Sequence, residues 1–333
     1  MDVVRSIETK RNWRKNNMKK RAFMFLALAF VFSVIFGSAA FAASKLEGSS
    51  SEEYYMVTFL SGIDYWKTCF EGMKDAADLF GVTARYTGQI DADSAGQVAV
   101  LEQVVALNPK GIAVTCVNSI ALADTINSAI EQGIAVVTFD SDSPTSNRGS
   151  YLSTGNAAAG AAAADFLVPF VEKKGKIAIL FQVGAENSES RVAGFKDWCR
   201  ANAPEISFVE INHSGDTTIG TDNTAAALQA NDDIVGVFCV DGIAGTAGPT
   251  AVKESGKTNI KVLAFDVDKT VLDMIKDGSV VATVAQGQYN MGYWSMNFLY
   301  HLAHNLPAVG LPGFVDTGVT IVTKETVDKY YVQ

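Results

Sequence analysis

Short apolar runs of strand character alternate with longer segments of helical periodicity from about residue 54 to the end of the chain. Strand–helix alternation with short connections produces right-handed βαβ units, in which helices cover both faces of a parallel sheet. Two sets of about five strands exceed one sheet, so the alternation predicts an α/β fold with two Rossmann-like lobes. Strands after the first are predicted at 82–86, 111–116, 134–139, 176–181, 206–211, 234–240, 261–265 and 280–285. A helix is predicted over 119–132, and the segment 141–150 is rich in turn residues.

Residues 1–42 are typical of a cleavable secretory signal peptide. A basic segment, Met18-Lys19-Lys20-Arg21, precedes an apolar run from Ala22 to Phe36 and an A-x-A cleavage motif, Ala40-Phe41-Ala42. The alternative, a membrane anchor, is disfavoured because the run is shorter than the ~20 residues that span a bilayer. We expect export with cleavage before Ala43, followed by a flexible leader over 43–53. No cysteine lies at the cleavage motif, which favours a periplasmic protein without a lipid anchor.

Export changes the charge balance of the chain. The whole sequence holds 27 Lys+Arg and 36 Asp+Glu, of which residues 1–42 hold 8 and 2. The exported part therefore carries 19 basic against 34 acidic residues, a formal net charge of −15. Such a charge disfavours nucleic acid and anionic lipid as partners and favours a soluble monomer.

The four cysteines, Cys69, Cys116, Cys199 and Cys239, leave two interpretations open. An oxidising compartment would allow two disulfides. Free thiols are favoured, because a chain of this length can bury a large core without disulfides. In addition, Cys116 and Cys239 lie inside apolar strand-like runs, where a thiol behaves as a small hydrophobic group.

Polar side chains stand where the predicted strands end. Three strands end at Asp140, Asp241 and Asp266, and a fourth ends at Gln286. Carboxylates and amides suit a neutral polyol, because each sugar hydroxyl both donates and accepts hydrogen bonds, and aromatic faces cover the C–H patches of a sugar ring. Any single aspartate could instead cap the following helix, but four such strand ends favour a ligand site. Further candidates after other strands are Asp64, Tyr65, Trp66 and Asn118.

Enzyme, cofactor and metal chemistry find little support in the sequence. No G-x-G-x-x-G follows the first strand and no P-loop is present, so a nucleotide would lack its phosphate cradle. No G-x-S-x-G elbow is present, and the three histidines form no Cys/His metal spacing. Paired carboxylates could serve a glycosidase, an alternative that requires one acid to stay protonated. We therefore expect no catalytic residue, no cofactor and no bound metal.

Six segments carry a resemblance to a known family. They are Asp64-Tyr65-Trp66 with Gly72 and Ala76-Ala77, Gly133 to Asp140, Arg191 to Phe195, Val240-Asp241-Gly242, Leu263 to Asp266, and Ala282 to Gln286. Their order and spacing resemble the ribose-type periplasmic binding proteins, the type 1 solute-binding components of ABC sugar importers. The resemblance spans about residues 54 to 325.

The resemblance implies ligand-binding roles, carried over by position. Tyr65 and Trp66 match paired aromatics that sandwich the sugar ring, and Asp140 matches an aspartate at the end of the fourth strand. Asp266 and Gln286 match groups that hold sugar hydroxyls from the second lobe and hinge. The full predicted ligand-binding set is Asp64, Tyr65, Trp66, Asn118, Asp140, Glu189, Arg191, Asp241, Asp266 and Gln286.

The chain departs from the ribose-binding pattern at several of these positions. Ribose binders carry asparagine at the positions of Ile63 and Asp241, and arginine at that of Ser141. A family arginine corresponds to about Glu189, and a second-lobe aromatic to about Gly215. The pocket should therefore be less basic than in ribose binders, which favours another aldose or polyol, pentose or hexose.

The resemblance also implies domain organisation and mechanism. Three chain crossings would form a hinge near 154–156, 286–288 and 315–317. The lobes would comprise 54–155 with 288–316, and 156–287 with 317–333. A sugar would shift the lobes towards a closed form, which would dock on the membrane permease of an ABC transporter.

Other functions stay open at this point. The same fold could present its ligand to a membrane chemoreceptor or sensor kinase, and the solute could be a nucleoside instead of a sugar. A sugar-responsive repressor shares this fold but would need a basic helix-turn-helix at its N-terminus. In this chain the predicted export segment takes that place.

Overall fold

The structure, a computed structural model, describes residues 48–91, 93–306 and 310–331. The predicted signal peptide over 1–42 lies outside the described residues, as does the first part of the predicted leader over 43–53. Within the described ranges, no helix has both the length and the hydropathy needed to cross a membrane.

Twelve strands and nine α-helices form in the described ranges. The strands are β1 (Glu53–Thr58), β2 (Thr83–Gly88), β3 (Gly111–Val114), β4 (Ala135–Phe139), β5 (Tyr151–Ser153), β6 (Lys174–Phe181), β7 (Glu205–Asn212), β8 (Ile234–Cys239), β9 (Lys261–Phe265), β10 (Ala282–Gln286), β11 (Phe314–Asp316) and β12 (Val319–Val322). The helices are α1 (Asp64–Phe80), α2 (Ser94–Ala106), α3 (Ala123–Glu131), α4 (Asn156–Leu167), α5 (Glu186–Asn202), α6 (Thr217–Ala230), α7 (Gly242–Ser255), α8 (Lys269–Asp277) and α9 (Gln288–Ala303).

The strands form two six-stranded sheets, one of β1 to β5 with β11 and the other of β6 to β10 with β12. The first sheet has the order β2-β1-β3-β4-β5-β11, and all of its neighbouring strands are parallel. The second sheet repeats this order as β7-β6-β8-β9-β10-β12, with β12 antiparallel to β10. The predicted α/β fold with two lobes is therefore confirmed. In such open sheets, ligands bind outside the carboxyl ends of the strands.

Local signals in the sequence explain where several helices begin and end. Asp93 accepts a hydrogen bond from the N–H of Gly96 at the start of α2, and Asp216 accepts one from the N–H of Ile219 at the start of α6. Both are side-chain caps that satisfy otherwise unpaired amides in the first helical turn. Gly81 ends α1 with a φ of 71°, a left-handed conformation that glycine adopts at little cost.

Two elements differ from the sequence-based expectation. The helix predicted over 119–132 begins only at Ala123, because the Asn118 side chain accepts hydrogen bonds from the N–H groups of Ile120 and Ala121 and holds a turn there. Strand β5 was not predicted after the turn-rich segment. It has three residues, Tyr151–Ser153, and is held by pairing with β4 and β11.

Reciprocal glycines bring one pair of helices into close contact in each lobe. Gly72 of α1 faces the backbone of α9, and Gly292 of α9 faces the backbone of α1. In the second lobe, Gly160 of α4 and Gly194 of α5 make the same pair of contacts. A Cβ atom at any of these four positions would overlap a backbone carbonyl of the neighbouring helix. Each pair therefore joins the helix that follows the first strand of its sheet to a helix that follows a chain crossing. These pairs are α1 with α9 and α5 with α4.

The chain crosses between the two sheets three times, after β5, β10 and β11, and these crossings form the predicted three-segment hinge. Hydrogen bonds join the crossings to one another. Asp316 Oδ1 accepts from the N–H groups of Gly155 at 2.8 Å and Gly318 at 2.9 Å. Thr154 Oγ1 donates to Gln286 Oε1 at 2.8 Å. Gln286 therefore belongs to the hinge as well as to a strand end.

All four cysteines are buried as free thiols. Burial raises the pKa of the Cys116 and Cys199 thiols to about 12, which keeps them protonated at neutral pH. The structure therefore agrees with the free-thiol interpretation.

Candidate functional site

Asp140 is the centre of a hydroxyl-rich cluster in the first lobe. It follows β4 with a φ of 58°, and its Oδ1 accepts from Tyr65 Oη at 2.7 Å. Ser141 Oγ and Thr115 Oγ1 donate to its Oδ2 at 3.0 and 3.4 Å. A carboxylate offers about four acceptor positions, so these three donors leave room for one more hydroxyl.

Gln286 connects the polar groups of the second lobe to the hinge. Its Nε2 donates to Asp266 Oδ1 at 2.7 Å, while its Oε1 accepts from Thr154 Oγ1 and from Arg191 Nη2, the latter at 3.1 Å. Arg191 is buried, and its guanidinium lies 4.0 Å from the ring centroid of Phe265. Two donors therefore fix the orientation of the Gln286 amide, which turns its nitrogen towards Asp266.

Asp241 is the third carboxylate at the strand ends. Its Oδ1 accepts from the N–H of Ala244 at 3.0 Å and so caps α7. Its Oδ2 lies 2.9 Å from Nε2 of the buried His213 and accepts from Ser188 Oγ at 3.3 Å. The helix-cap role considered for single aspartates is thus real at this position, but it uses only one oxygen.

The three carboxylates differ in their electrostatic environment. Burial raises the pKa of Asp140, although the hydrogen bond from Tyr65 opposes the rise. Burial raises the pKa of Asp266 to about 6, against the attraction of Arg191. For Asp241, burial acts in the same direction, but its hydrogen bonds outweigh it and lower the pKa. One carboxylate is therefore held ionised while the other two are destabilised in their charged form.

Groups at the strand ends of one sheet interact electrostatically with groups at the strand ends of the other. The pKa of Tyr65 is raised well above its usual value by burial, then by Asp140 and, from the second lobe, by Asp266. Arg191 of the second lobe opposes the rise in the pKa of Asp140 in the first. The strand ends of the two sheets therefore face each other, with Tyr65, Asp140, Arg191 and Asp266 between them.

Three of the predicted residues are exposed and form their hydrogen bonds elsewhere. Asp64 pairs with Lys67 at 2.6 Å on the surface of α1. Asn118 holds the turn before α3, and Glu189 accepts from the N–H of Gly184 at 2.8 Å. In this structure, local hydrogen bonds satisfy all three side chains.

Trp66 lies in the hydrophobic core instead of on an open face. It is 2 % exposed and packs edge-on against Phe59, Tyr65 and Phe139, with ring centroids 4.7 to 5.8 Å apart. Its Nε1 is buried without a hydrogen-bond partner among the described residues. Of the two aromatics predicted to sandwich a sugar, only Tyr65 hydrogen-bonds to the polar cluster, through Asp140. Trp66 packs against the Tyr65 ring from the side of the hydrophobic core.

Four polar residues near the site were not predicted from the sequence, because their partners depend on which strands are neighbours in the sheet. His213 follows β7 directly and bonds to Asp241, and Gln182 follows β6 with its Oε1 buried and unpartnered among the described residues. Thr115 and Thr154 add hydroxyl donors. His213 and Gln182 each stand directly after a strand, so the signal that indicates Asp140, a polar residue directly after a strand, also indicates both of them.

Comparison with known proteins gives consistent matches over nearly the whole described chain. A sequence model of the periplasmic binding protein domain matches residues 54–306. AraP, an arabinose-binding protein from Geobacillus stearothermophilus, is 40% identical with a TM-score of 0.82, over 84% of this chain and 99% of that one. A sugar-binding protein of a sugar ABC transporter from Bacillus halodurans is 39% identical with a TM-score of 0.81, over 84% and 100%. The D-allose-binding periplasmic protein of Escherichia coli is 26% identical, over 78% of this chain and 84% of that protein.

The matched segment runs from β1 to the end of α9 and so includes five strands of each sheet and the three carboxylates, but not β11 or β12. The structural matches extend over essentially the full length of the proteins compared, which share both lobes with this chain. The chain belongs to the periplasmic binding protein family.

Proposed function

We propose that this protein captures a neutral monosaccharide between its lobes and delivers it to the permease of an ABC importer. The observation that carries the proposal is the set of polar groups brought together at facing strand ends: Asp140 and Tyr65 from one lobe, Asp241, Asp266 and Gln286 from the other. These five form the centre of the proposed ligand-binding set, and Arg191 orients Gln286 beside them. The other four residues predicted from the sequence, Asp64, Trp66, Asn118 and Glu189, stay candidates that lie outside this centre.

The chemistry of this cluster favours hydroxyl donors over anions. Three carboxylates lie at the strand ends, and the nearby cation, Arg191, already donates to Asn156, to the Val240 carbonyl and to Gln286. An anionic ligand would meet like charges, and Arg191, the cation described beside them, is already engaged. Sugar hydroxyls can donate to the carboxylates and accept from the amide and phenol groups.

Arabinose is the first sugar to test. Three matched structures are called arabinose-binding or were solved with D-arabinose, and they are 40%, 29% and 26% identical to this chain. Ribose is less favoured, because Ile63, Ser141 and Gly215 replace polar, basic and aromatic groups of the ribose-binding pattern.

The remaining parts of the proposal concern organisation. The lobes comprise 54–155 with 288–316, and 156–287 with 317–333. The protein acts in the periplasm as a monomer after cleavage of its signal peptide, without a lipid anchor and without enzymatic activity. Gln286 links the hinge to the second lobe, because it bonds both to Thr154 in the first crossing and to Asp266 after β9. Closure about the hinge therefore moves Gln286.

A thermal-shift screen tests the sugar assignment. Pentoses, hexoses, polyols, nucleosides and amino acids are added to the purified protein. A ligand at about 100 times its Kd is expected to raise the unfolding midpoint by about 5 °C or more through mass action. Arabinose or another neutral aldose should give the largest shift. A shift with a nucleoside or amino acid and with no sugar would contradict the sugar assignment and leave the family unchanged.

A further inference from the structure

His213 is a buried histidine whose ring nitrogens both have fixed partners. It lies just after β7, is 1 % exposed, and has Nε2 2.9 Å from Asp241 Oδ2. Its Nδ1 accepts a hydrogen bond from the backbone N–H of Gly215 at 3.1 Å. A backbone amide can only donate, so Nδ1 must be unprotonated. The ring therefore carries its proton on Nε2 and donates it to Asp241.

Asp241 consequently receives a fixed donor on each of its two oxygens. The N–H of Ala244 donates to Oδ1 at 3.0 Å, and the Nε2–H of His213 donates to Oδ2. Neither donor can be reversed, since one is a backbone amide and the other is set by Gly215. Only a carboxylate accepts at both ends.

An asparagine at position 241 could not satisfy this environment. With its oxygen towards Ala244, its amide nitrogen would face the Nε2–H of His213, and the opposite orientation would face the nitrogen with the N–H of Ala244. Moving the histidine proton to Nδ1 would set it against the N–H of Gly215. Every arrangement leaves two donors facing each other, which is costly in a buried site.

We propose that His213 is a positioning residue that, together with Gly215, holds Asp241 as an ionised, oriented acceptor for a hydroxyl of the ligand. The proposal rests on the proposed function for its ligand. The Asp241 side chain is 20 % exposed, and Ser188 supplies its third donor. The one acceptor position left lies on Oδ1, so Asp241 selects a ligand group that donates a hydrogen bond.

The backbone conformation of Gly215 directs its N–H to His213, and a residue with a side chain would adopt this conformation only with strain. Gly215 has a φ of 77°, a left-handed conformation that directs its N–H to the histidine. A side chain there would be strained by this φ, although its Cβ would make only an ordinary contact, 3.6 Å from Gln182 Oε1. The glycine that the resemblance marks as a departure thus fixes the His213 tautomer.

A tautomer measurement combined with a double-mutant cycle tests the proposal. Long-range proton–nitrogen correlation spectra at pH 7.5 report which nitrogen of His213 is protonated, and the chain has only three histidines to assign. Calorimetry with arabinose and urea unfolding are then measured for the wild type, Asp241→Asn, His213→Phe and the double variant. His301→Phe serves as the matched control.

We expect a neutral His213 protonated at Nε2. The affinity loss caused by Asp241→Asn should be at least about fivefold smaller in the His213→Phe background than in the wild type, because the opposing donor is gone. An Nδ1-protonated or doubly protonated ring, or additive losses, would overturn the proposal. If His213→Phe does not fold, the tautomer spectra of the wild type and of Asp241→Asn test the proposal alone. A wild-type ring protonated at Nε2 supports it, and one protonated at Nδ1 or at both nitrogens overturns it. If no sugar binds the wild type, the proposed function fails, while the spectra and unfolding cycle still test His213.

Discussion

A partly buried carboxyl group directly after β9 is expected to make the stability of the protein depend on pH. The pKa of Asp266 is raised from 3.8 to about 6 by burial, which Arg191 and Gln286 only partly offset. Between these values the folded chain binds more protons than the unfolded chain, so the free energy of unfolding falls as the pH rises from about 4 to 6. The destabilising effect of Asp266 is absent below this window and complete above it.

Asp266→Asn is expected to remove this pH dependence. The amide keeps an oxygen that can accept from Gln286 and carries no charge to bury. At pH 7.5 the free energy of unfolding should rise by up to about 3 kcal/mol relative to the wild type, with no gain near pH 4. Urea unfolding at pH 4, 5, 6 and 7.5 measures both proteins. Parallel pH profiles would show that Asp266 does not titrate in this window.

Trp66→Ala is expected to affect stability before it affects binding. The indole is 2 % exposed and packs against three aromatic rings, so its removal leaves a large cavity. The free energy of unfolding should fall by about 3 to 5 kcal/mol in urea. Tyr65→Phe, which removes only the donor to Asp140, is the comparison variant and should cost much less. If the Trp66→Ala protein kept wild-type stability but bound sugar more weakly, the result would support the predicted stacking of Trp66 on the sugar and contradict its role in the core.

Individual side chains were predictable from the sequence to different degrees. Asp140, Asp241, Asp266 and Gln286 were found because strand ends converge in any parallel sheet, and this convergence needs no detailed geometry. The burial of Trp66 agrees with helical periodicity, since Trp66 shares one apolar face of α1 with Cys69 and Met73, and all three are buried. The stacking role came only from the resemblance. The same strand-end signal points to His213 after β7, whereas its bond to Asp241 depends on the order β7-β6-β8 in the sheet.

At the scale of elements, glycine contacts set the distance between paired helices. Gly292→Ala is expected to lower the free energy of unfolding by about 1 to 3 kcal/mol, because its Cβ would overlap the backbone of α1. Gly62→Ala is the matched control, since a Cβ at Gly62 has no neighbour within 4 Å. Urea unfolding of both variants decides. Equal stability of the two would mean that α1 and α9 can separate without loss.

Element order and type were predictable, whereas short or locally competing elements were not. The hydrophobic periodicity of the long helices and the apolar runs of the central strands depend on nearby residues, so the sequence shows them directly. Strand β5 is held by β4 and β11, and β11 lies more than 150 residues away along the chain. The turn at Asn118 replaces the first helical residues through side-chain hydrogen bonds that periodicity does not register.

At the scale of the whole molecule, the predicted signal peptide is expected to direct the protein out of the cytoplasm. Expressed with residues 1–42 in a bacterium with two membranes, the chain is expected in the periplasmic fraction with Ala43 as its first residue. Intact-mass spectrometry of that fraction measures the cleavage site. An uncleaved chain retained in the membrane fraction would instead support the anchor interpretation.

The central claim is that the facing strand ends form a sugar site, and calorimetric titration tests it most directly. Arabinose is titrated into the wild type, into Asp266→Ala and into the surface control Asp197→Ala, whose side chain is 69% exposed. We predict saturable binding to the wild type and the control, and an affinity at least about 30-fold lower for Asp266→Ala, because a partly buried acceptor for a sugar hydroxyl is lost. Equal affinity of all three proteins for arabinose would contradict the assignment of the site.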